Sequence, residues 1–225
     1  MGCGVRFTQT LINRDLPFAS YTGIEVLRPI VHWLQEHVEK HDDRFRFVHW
    51  NVQNSTYNPQ APRMQTHQNS PVARGYDVIM GFSLVTHLAP PDAAHIFRLA
   101  RRAVRPEGFL FFSAFYDDAV DKFEDRVPDK PLHKAYYNRK HLEDLFGDAG
   151  WTLVSYAEPS PTLWIRSCAS RGISILQVAH ERFSSFNSAT DLLIFAWLNA
   201  VIEGFCTISH LPSRIRTGND EIKYS

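Results

Sequence analysis

Up to about residue 156, apolar runs with strand character alternate with segments whose apolar residues recur at helical spacing. A helix between two strands returns the chain to the same end of the sheet, so successive strands run parallel and the helices cover both faces. Val5 to Asn13 carries Phe7 and Leu11 on one helical face, and Leu16-Pro17 ends it. Tyr21 to Val26 reads as a short buried strand. A helix starts near Pro29 and runs to about His41, with Ile30, Val31, Leu34 and Val38 inward. Strands are expected at Phe45 to Trp50, Tyr76 to Phe82, Phe109 to Phe115 and Trp151 to Tyr156. Between them lie a helix opened by Pro91-Asp92, with Arg101, Arg102 and Arg105 at its C-terminal end, and a helix capped by Asn138 and stopped by Gly150. The fold class is α/β, a doubly wound, mostly parallel sheet with helices on both faces.

Two stretches depart from this rhythm. Asn54 to Arg74, rich in Pro, Asn, Gln and Ser, is longer than a structural connection needs and reads as a functional cover or a mobile loop. Beyond Arg166, Gly172 to Phe186 and Thr190 to Phe205 both carry helical patterns, the second with Ser188 as a cap, and 212–225 is polar and expected to fray. The reading therefore divides the chain into a domain over 1–166 and a helical appendage over 167–225.

Composition narrows the function. With 24 Lys and Arg against 24 Asp and Glu, the chain lacks the net positive charge that draws proteins to nucleic acid. Cys3, Cys168 and Cys206 form no metal-binding or disulfide pattern, which fits a reducing cytoplasm. Leu192 to Ile208 is the most apolar stretch, but Asn199 and Glu203 interrupt it, and it is shorter than the roughly 20 residues of a bilayer helix. No membrane partner and no metal are expected.

Gly2-Cys3-Gly4 leads straight into a helix. Glycines at such a turn let the backbone approach a ligand, and the helix start presents unpaired N–H groups to it. Glu25 follows roughly twenty residues on, at the end of the next strand, where a carboxylate can accept the hydroxyls of a ribose. Gly2-Cys3-Gly4-Val5-Arg6-Phe7-Thr8, Tyr21-Thr22-Gly23-Ile24-Glu25-Val26, the segment from Tyr76 to Leu88, and Arg105-Pro106-Glu107-Gly108 together resemble the class I S-adenosylmethionine-dependent methyltransferases, in order and spacing across residues 2 to about 156.

That resemblance implies a Rossmann-like sheet, S-adenosylmethionine as cofactor, and methyl transfer to a small-molecule acceptor. It places Gly2, Cys3 and Gly4 against the methionine part of the cofactor, Glu25 with Val26 at the ribose, and Asn51 with Val52 near the adenine, where the family often has an acidic residue. Phe82 and Ser83 would face the reactive end. His87, just beyond, is the candidate base for a hydroxyl acceptor, and it equally suits a histidine that orders its loop through a backbone hydrogen bond. The loop from Tyr116 to Tyr137 is expected beside the acceptor, with Tyr116 and Tyr136 or Tyr137 available to it.

The chain departs from the family pattern in two ways. Val5-Arg6 leaves the turn one residue short of the usual glycine. The strand that normally delivers the turn is absent ahead of Met1-Gly2, which reads as an N-terminal truncation that an upstream strand would repair. Without that strand, Tyr21 to Val26 would pair directly with Tyr76 to Phe82, or another segment, such as Ile173 to Val178, would fill the space. A non-catalytic binding or interaction module and an NAD(P)-dependent oxidoreductase are the alternative functions. The latter expects a third glycine where Phe7 stands. His37 and His41, one helical turn apart, and the acidic cluster Asp117-Asp118, Asp121 and Glu124-Asp125 read as solvated surface.

Overall fold

The computed structural model describes residues 1–55, 57–64, 71–157, 173–180, 214–217 and 220–223. Helix α1 (Arg6–Asn13) is followed by strand β1 (Tyr21–Glu25), helix α2 (Arg28–Leu34) extended by one π-helical turn (Gln35–Glu39), and strand β2 (Phe45–His49). Strand β3 (Tyr76–Gly81) leads through a 3₁₀ turn (Val85–His87) into helix α3 (Pro90–Ala103) and strand β4 (Val104–Tyr116). Short strands β5 (Phe123–Asp125) and β6 (Ala135–Tyr137) form a hairpin ahead of helix α4 (Arg139–Gly147) and strand β7 (Trp151–Ala157). Three further strands are β8 (Ile173–His180), β9 (Arg214–Thr217) and β10 (Asp220–Lys223).

Strands β1 and β2 pair in parallel, as do β3 and β4. Between the partners of Tyr76 and Val78, residues Arg105 to Gly108 bulge out of β4, so the expected Pro106-Glu107-Gly108 turn is a bulge within one long strand. Gly108 is required there, since a Cβ would lie 2.4 Å from Val104 Cγ2 and 2.7 Å from the Asp77 carbonyl oxygen. The opposite edge of β4 pairs antiparallel with β8, which pairs antiparallel with β7. Because β6 pairs in parallel with Phe115 and Tyr116 while β8 occupies the other edge at Phe115, the β5–β6 hairpin continues the β3 edge beyond the carboxyl end of β3.

Alternation along the strands separates two apolar layers. Ile24, Ile79, Leu110 and Phe112 face α3 and α4, whose Phe97, Ala100, Leu142 and Phe146 complete that core. Tyr21, Phe45, Phe47, Met80 and Phe82 pack with Phe7 and Leu11 of α1 and Val31 and Leu34 of α2. Pro90 and Asp92 suit the start of α3, and Arg101 with Arg102 the end of its dipole. The Asn138 side chain accepts the His141 N–H at 3.3 Å, and Gly150 takes φ +81° where α4 stops.

Ile173–His180 is a strand within the six-stranded sheet, where a helix over Gly172 to Phe186 was expected. A sheet edge of β4 and a facing β7 give that apolar segment two backbone partners at once, and this decides a run whose periodicity fits either structure. The same pairing means that Ile173 to Val178 does not fill a space beside β1. The tail contains the antiparallel pair of β9 and β10 where fraying was expected. The expected helix over Thr190 to Phe205 and the apolar stretch Leu192 to Ile208 lie outside the described residues. Among the described residues no strand lies between β1 and β3 and the two do not pair with each other. Met1 to Cys3 crosses that space instead: the Met1 nitrogen donates to the Met80 carbonyl at 2.6 Å and the Cys3 N–H to the Ile24 carbonyl at 3.1 Å. No helix among the described residues is long and apolar enough to cross a membrane.

Candidate active site at the carboxyl ends of the strands

In a parallel sheet the loops leaving the carboxyl ends of the strands enclose the ligand crevice. Glu25 ends β1 and Asn51 and Val52 follow β2, in a two-stranded sheet, while Phe82 and Ser83 follow β3 of the six-stranded sheet; the contacts of Met1 with Met80 and of Cys3 with Ile24 bring these strand ends together. The Trp50 N–H donates to the Glu25 carbonyl at 2.9 Å, which holds the ends of β1 and β2 level.

The glycine turn is bound directly to Glu25. Gly2 and Gly4 take φ of +63° and +48°, left-handed values that a side chain would strain. The Gly4 N–H donates to Glu25 Oε2 at 3.0 Å, and the Val26 and Leu27 N–H groups donate to Oε1 at 2.8 and 3.2 Å. The twenty-residue spacing thus becomes a physical contact. Three of about four acceptor sites on the carboxylate are taken by backbone, which leaves room for one ribose hydroxyl rather than two. The Val26 carbonyl accepts from His49 Nε2 at 3.1 Å. Burial, together with the Glu25 charge, pushes the Cys3 thiol up to about 12, so the sulfur is a neutral packing group.

Asn51 is exposed, and its Oδ1 accepts from Asn58 Nδ2 at 3.2 Å, while Val52 packs against the core shared by α3 and α4. The Phe82 ring stacks on Phe7 at 6.3 Å and is committed to α1. Ser83 is left-handed at φ +51°, and its N–H donates to Ser113 Oγ at 2.7 Å. Ser113, 3% exposed, is the one polar residue in the run Phe109 to Phe115, and that exception was the signal for a polar contact beneath the crevice.

His87 stands at the meeting point of three loops. Its Nδ1 lies 3.1 Å from the Leu132 carbonyl, its ring 5.9 Å from that of His133 and 6.5 Å, edge-on, from that of Tyr57. Ser55 Oγ donates to the neighbouring Pro131 carbonyl at 3.0 Å. A carbonyl only accepts, so Nδ1 carries the hydrogen and the neutral ring keeps its lone pair on Nε2. Burial lowers the imidazole below the ordinary histidine value, the Leu132 carbonyl works against this, and the charge of nearby His133 adds to the lowering. The histidine therefore orders its loop through backbone and is also neutral and basic near pH 7. No spacing or motif marks Ser55, Tyr57, Leu132 and His133 as its neighbours.

The β5–β6 hairpin reaches this end of the sheet, but Tyr137 is not available to a ligand: it is fully buried and its hydroxyl donates to the Leu88 carbonyl at 2.6 Å. Burial and the charge of Asp92 raise its pKa. Tyr116 accepts from Arg139 at 2.7 Å, and Tyr136 is stacked on Phe115 with the Arg126 guanidinium 3.9 Å over its ring. In the acidic cluster, Arg126 bridges Asp117 and Glu124.

A parallel sheet with a glycine turn tied to an acidic residue at the end of the adjacent strand is the framework of a class I methyltransferase. The methyltransferase-domain family model matches residues 1–156, and the chain belongs to that family, whose methyl donor is S-adenosylmethionine. Solved structures share the fold. The cyclase SpnF matches at 14% identity and TM-score 0.56 over 80% of this chain and 73% of its own. LaPhzM matches at 15% and 0.51 over 80% and 48%. Magnesium protoporphyrin IX methyltransferase from Synechocystis PCC 6803, solved with S-adenosylmethionine bound, matches at 11% and 0.51 over 80% and 67%. At these identities the likeness is one of fold.

Proposed function

We propose that this chain binds S-adenosylmethionine at the Gly2–Gly4 turn and transfers its methyl group to a hydroxyl of a small molecule held between the loops after β2, β3 and β4, in the cytoplasm. The observation that carries the reading is the Glu25 carboxylate joined to the Gly4 N–H at 3.0 Å, which sets an acidic acceptor beside a positive-φ glycine turn. Gly2, Cys3 and Gly4 bring backbone to the methionine part, Glu25 and Val26 meet the ribose, and Asn51 and Val52 flank the adenine. Asn58 takes one of the two acceptor sites of Asn51 Oδ1, which leaves the other for the adenine amino group. Phe82 and Ser83 form the floor near the reactive end.

Methyl transfer from a sulfonium is an in-line displacement. The cofactor supplies the electrophilic methyl group; the chain's task is to hold the acceptor in line and to exclude water. His87 Nε2 takes the acceptor's proton. Since the imidazole must be neutral and burial lowers its pKa, the rate is expected to rise with pH through a value below the ordinary histidine value of about 6.5 and to be flat above it. The test is transfer of label from methyl-labelled S-adenosylmethionine to a panel of phenols and aliphatic alcohols across pH 5 to 8. Transfer with that pH dependence supports the reading, and an acidic limb at or above the ordinary value contradicts the role of His87.

A non-catalytic binding module is the second reading, favoured by the backbone's hold on three of the acceptor sites of Glu25. Binding of cofactor with no transfer to any acceptor would support it.

A further inference from the structure

The loop that holds His87 contains a residue in an unfavourable conformation. Leu132 takes φ +60°, the left-handed region where the Cβ of a non-glycine residue crowds the backbone. Such a conformation persists only where surrounding contacts impose it. Two contacts impose it here: the His133 N–H donates to the Lys130 carbonyl at 2.9 Å, closing a turn with Leu132 in third place after Pro131, and the Asp125 carboxylate braces that turn, its Oδ2 accepting the Leu132 N–H at 2.6 Å while Oδ1 accepts the Val127 N–H at 3.3 Å. Asp125 is itself fixed as the last residue of β5, opposite Ala135 of β6, and the Arg126 N–H donates to the Lys134 carbonyl at 3.1 Å. The preceding carbonyl, Pro131, is held by Ser55. The Leu132 carbonyl is the acceptor for His87 Nδ1, and its direction depends on the backbone angles that the carboxylate imposes.

We propose that Asp125 is a positioning residue for His87: by holding Leu132 left-handed it aims the Leu132 carbonyl at Nδ1 and so fixes the imidazole as the Nδ1–H tautomer with Nε2 basic. The proposal rests on the reading of His87 as the base for its functional meaning, but the structural link stands apart from that reading. Without the carboxylate, the Lys130–His133 turn bond alone has to hold Leu132 against the strain of its Cβ, and the carbonyl is no longer fixed on Nδ1. The ring then loses the acceptor that selects its tautomer and gains water. The other groups facing the ring are the exposed side chains of His133 and Tyr57 and the His133 backbone, which contributes a weaker hydrogen bond to the imidazole than the Leu132 carbonyl does.

Two-bond nitrogen–proton correlation spectra of the ¹⁵N-labelled protein read the tautomer and titration of each histidine directly, with the His87 signal assigned by its loss in His87→Gln. The expected result is a single Nδ1–H tautomer for His87 in the unaltered protein. In Asp125→Ala a mixture of tautomers is expected. Adding Leu132→Gly to Asp125→Ala is expected to restore the Nδ1–H form, because glycine adopts the left-handed conformation without help. Should Asp125→Ala lose its cooperative melt, Asp125→Asn is expected to shift the tautomer in the same direction by a smaller amount. An unchanged His87 tautomer in these variants, or an Nε2–H tautomer in the unaltered protein, overturns the proposal. Altered spectra with an unaltered pH dependence of methyl transfer would uphold the link to Asp125 and remove His87 as the base.

Discussion

Glu25→Ala is expected to weaken S-adenosylmethionine binding tenfold or more and to lower the melting temperature at the same time. Glu25 is 9% exposed and accepts three backbone N–H groups, of Gly4, Val26 and Leu27. Hydrogen bonds to a charged group contribute about 1.5–3 kcal/mol, and a buried donor left without a partner carries a desolvation cost of similar size. Loss of the carboxylate removes the acceptor for a ribose hydroxyl and releases the Gly4 N–H, so the turn no longer has the shape that receives the cofactor. At about 1.4 kcal/mol per factor of ten, the ribose contact alone gives the tenfold change. Glu25→Gln keeps one acceptor oxygen and should fall between the two. Calorimetric affinity, with a circular dichroism melt of each variant, separates the effects, and an unchanged affinity in Glu25→Ala refutes the ribose assignment.

A larger loss of stability is expected far from the turn. Phe97 of α3 has no exposed surface, its ring lies 5.0 Å from that of Phe112 and 6.0 Å from that of Phe146, and its carbonyl accepts Trp151 Nε1 at 3.0 Å. It therefore joins α3, β4, α4 and β7 in one layer. Truncation of a buried Phe to Ala typically costs about 3–5 kcal/mol, because the lost transfer energy adds to that of the cavity left behind. Against a typical domain stability of about 5–15 kcal/mol this is a large fraction. Urea unfolding followed by tryptophan fluorescence should show a lower midpoint with an unchanged slope, and Phe97→Leu, which fills most of the cavity, a much smaller change. A cost under about 1 kcal/mol would mean that α3 is not the central support of this face.

The alternation of strands and helices was legible because each element carries a local signal. Pro90 and Asp92 open α3, Asn138 caps α4, and the apolar residues of both recur at helical spacing. Glu25 and the glycine turn were legible from spacing, though not the backbone contact that joins them. What could not be read was set by distant partners. Ile173–His180 is a short apolar run, and only the presence of β4 and β7 on its two sides makes it a strand. Leu132 gives no glycine signal for its left-handed backbone, because a turn bond between Lys130 and His133 and a carboxylate seven residues earlier hold it there. Tyr137 looked available in sequence, and the Leu88 carbonyl takes its hydroxyl into the core.

The turn and Glu25 together form the proposed site for S-adenosylmethionine. Isothermal titration of the protein with S-adenosylmethionine and with its demethylated product, set beside NAD and NADP, measures this directly. Saturable one-to-one heats with the first two, lost or strongly weakened in Glu25→Ala, and none with the nicotinamide cofactors are the expected result. Absence of heat with S-adenosylmethionine and its product up to millimolar concentrations, in protein that melts cooperatively, would contradict it, as would a saturable heat with NAD or NADP.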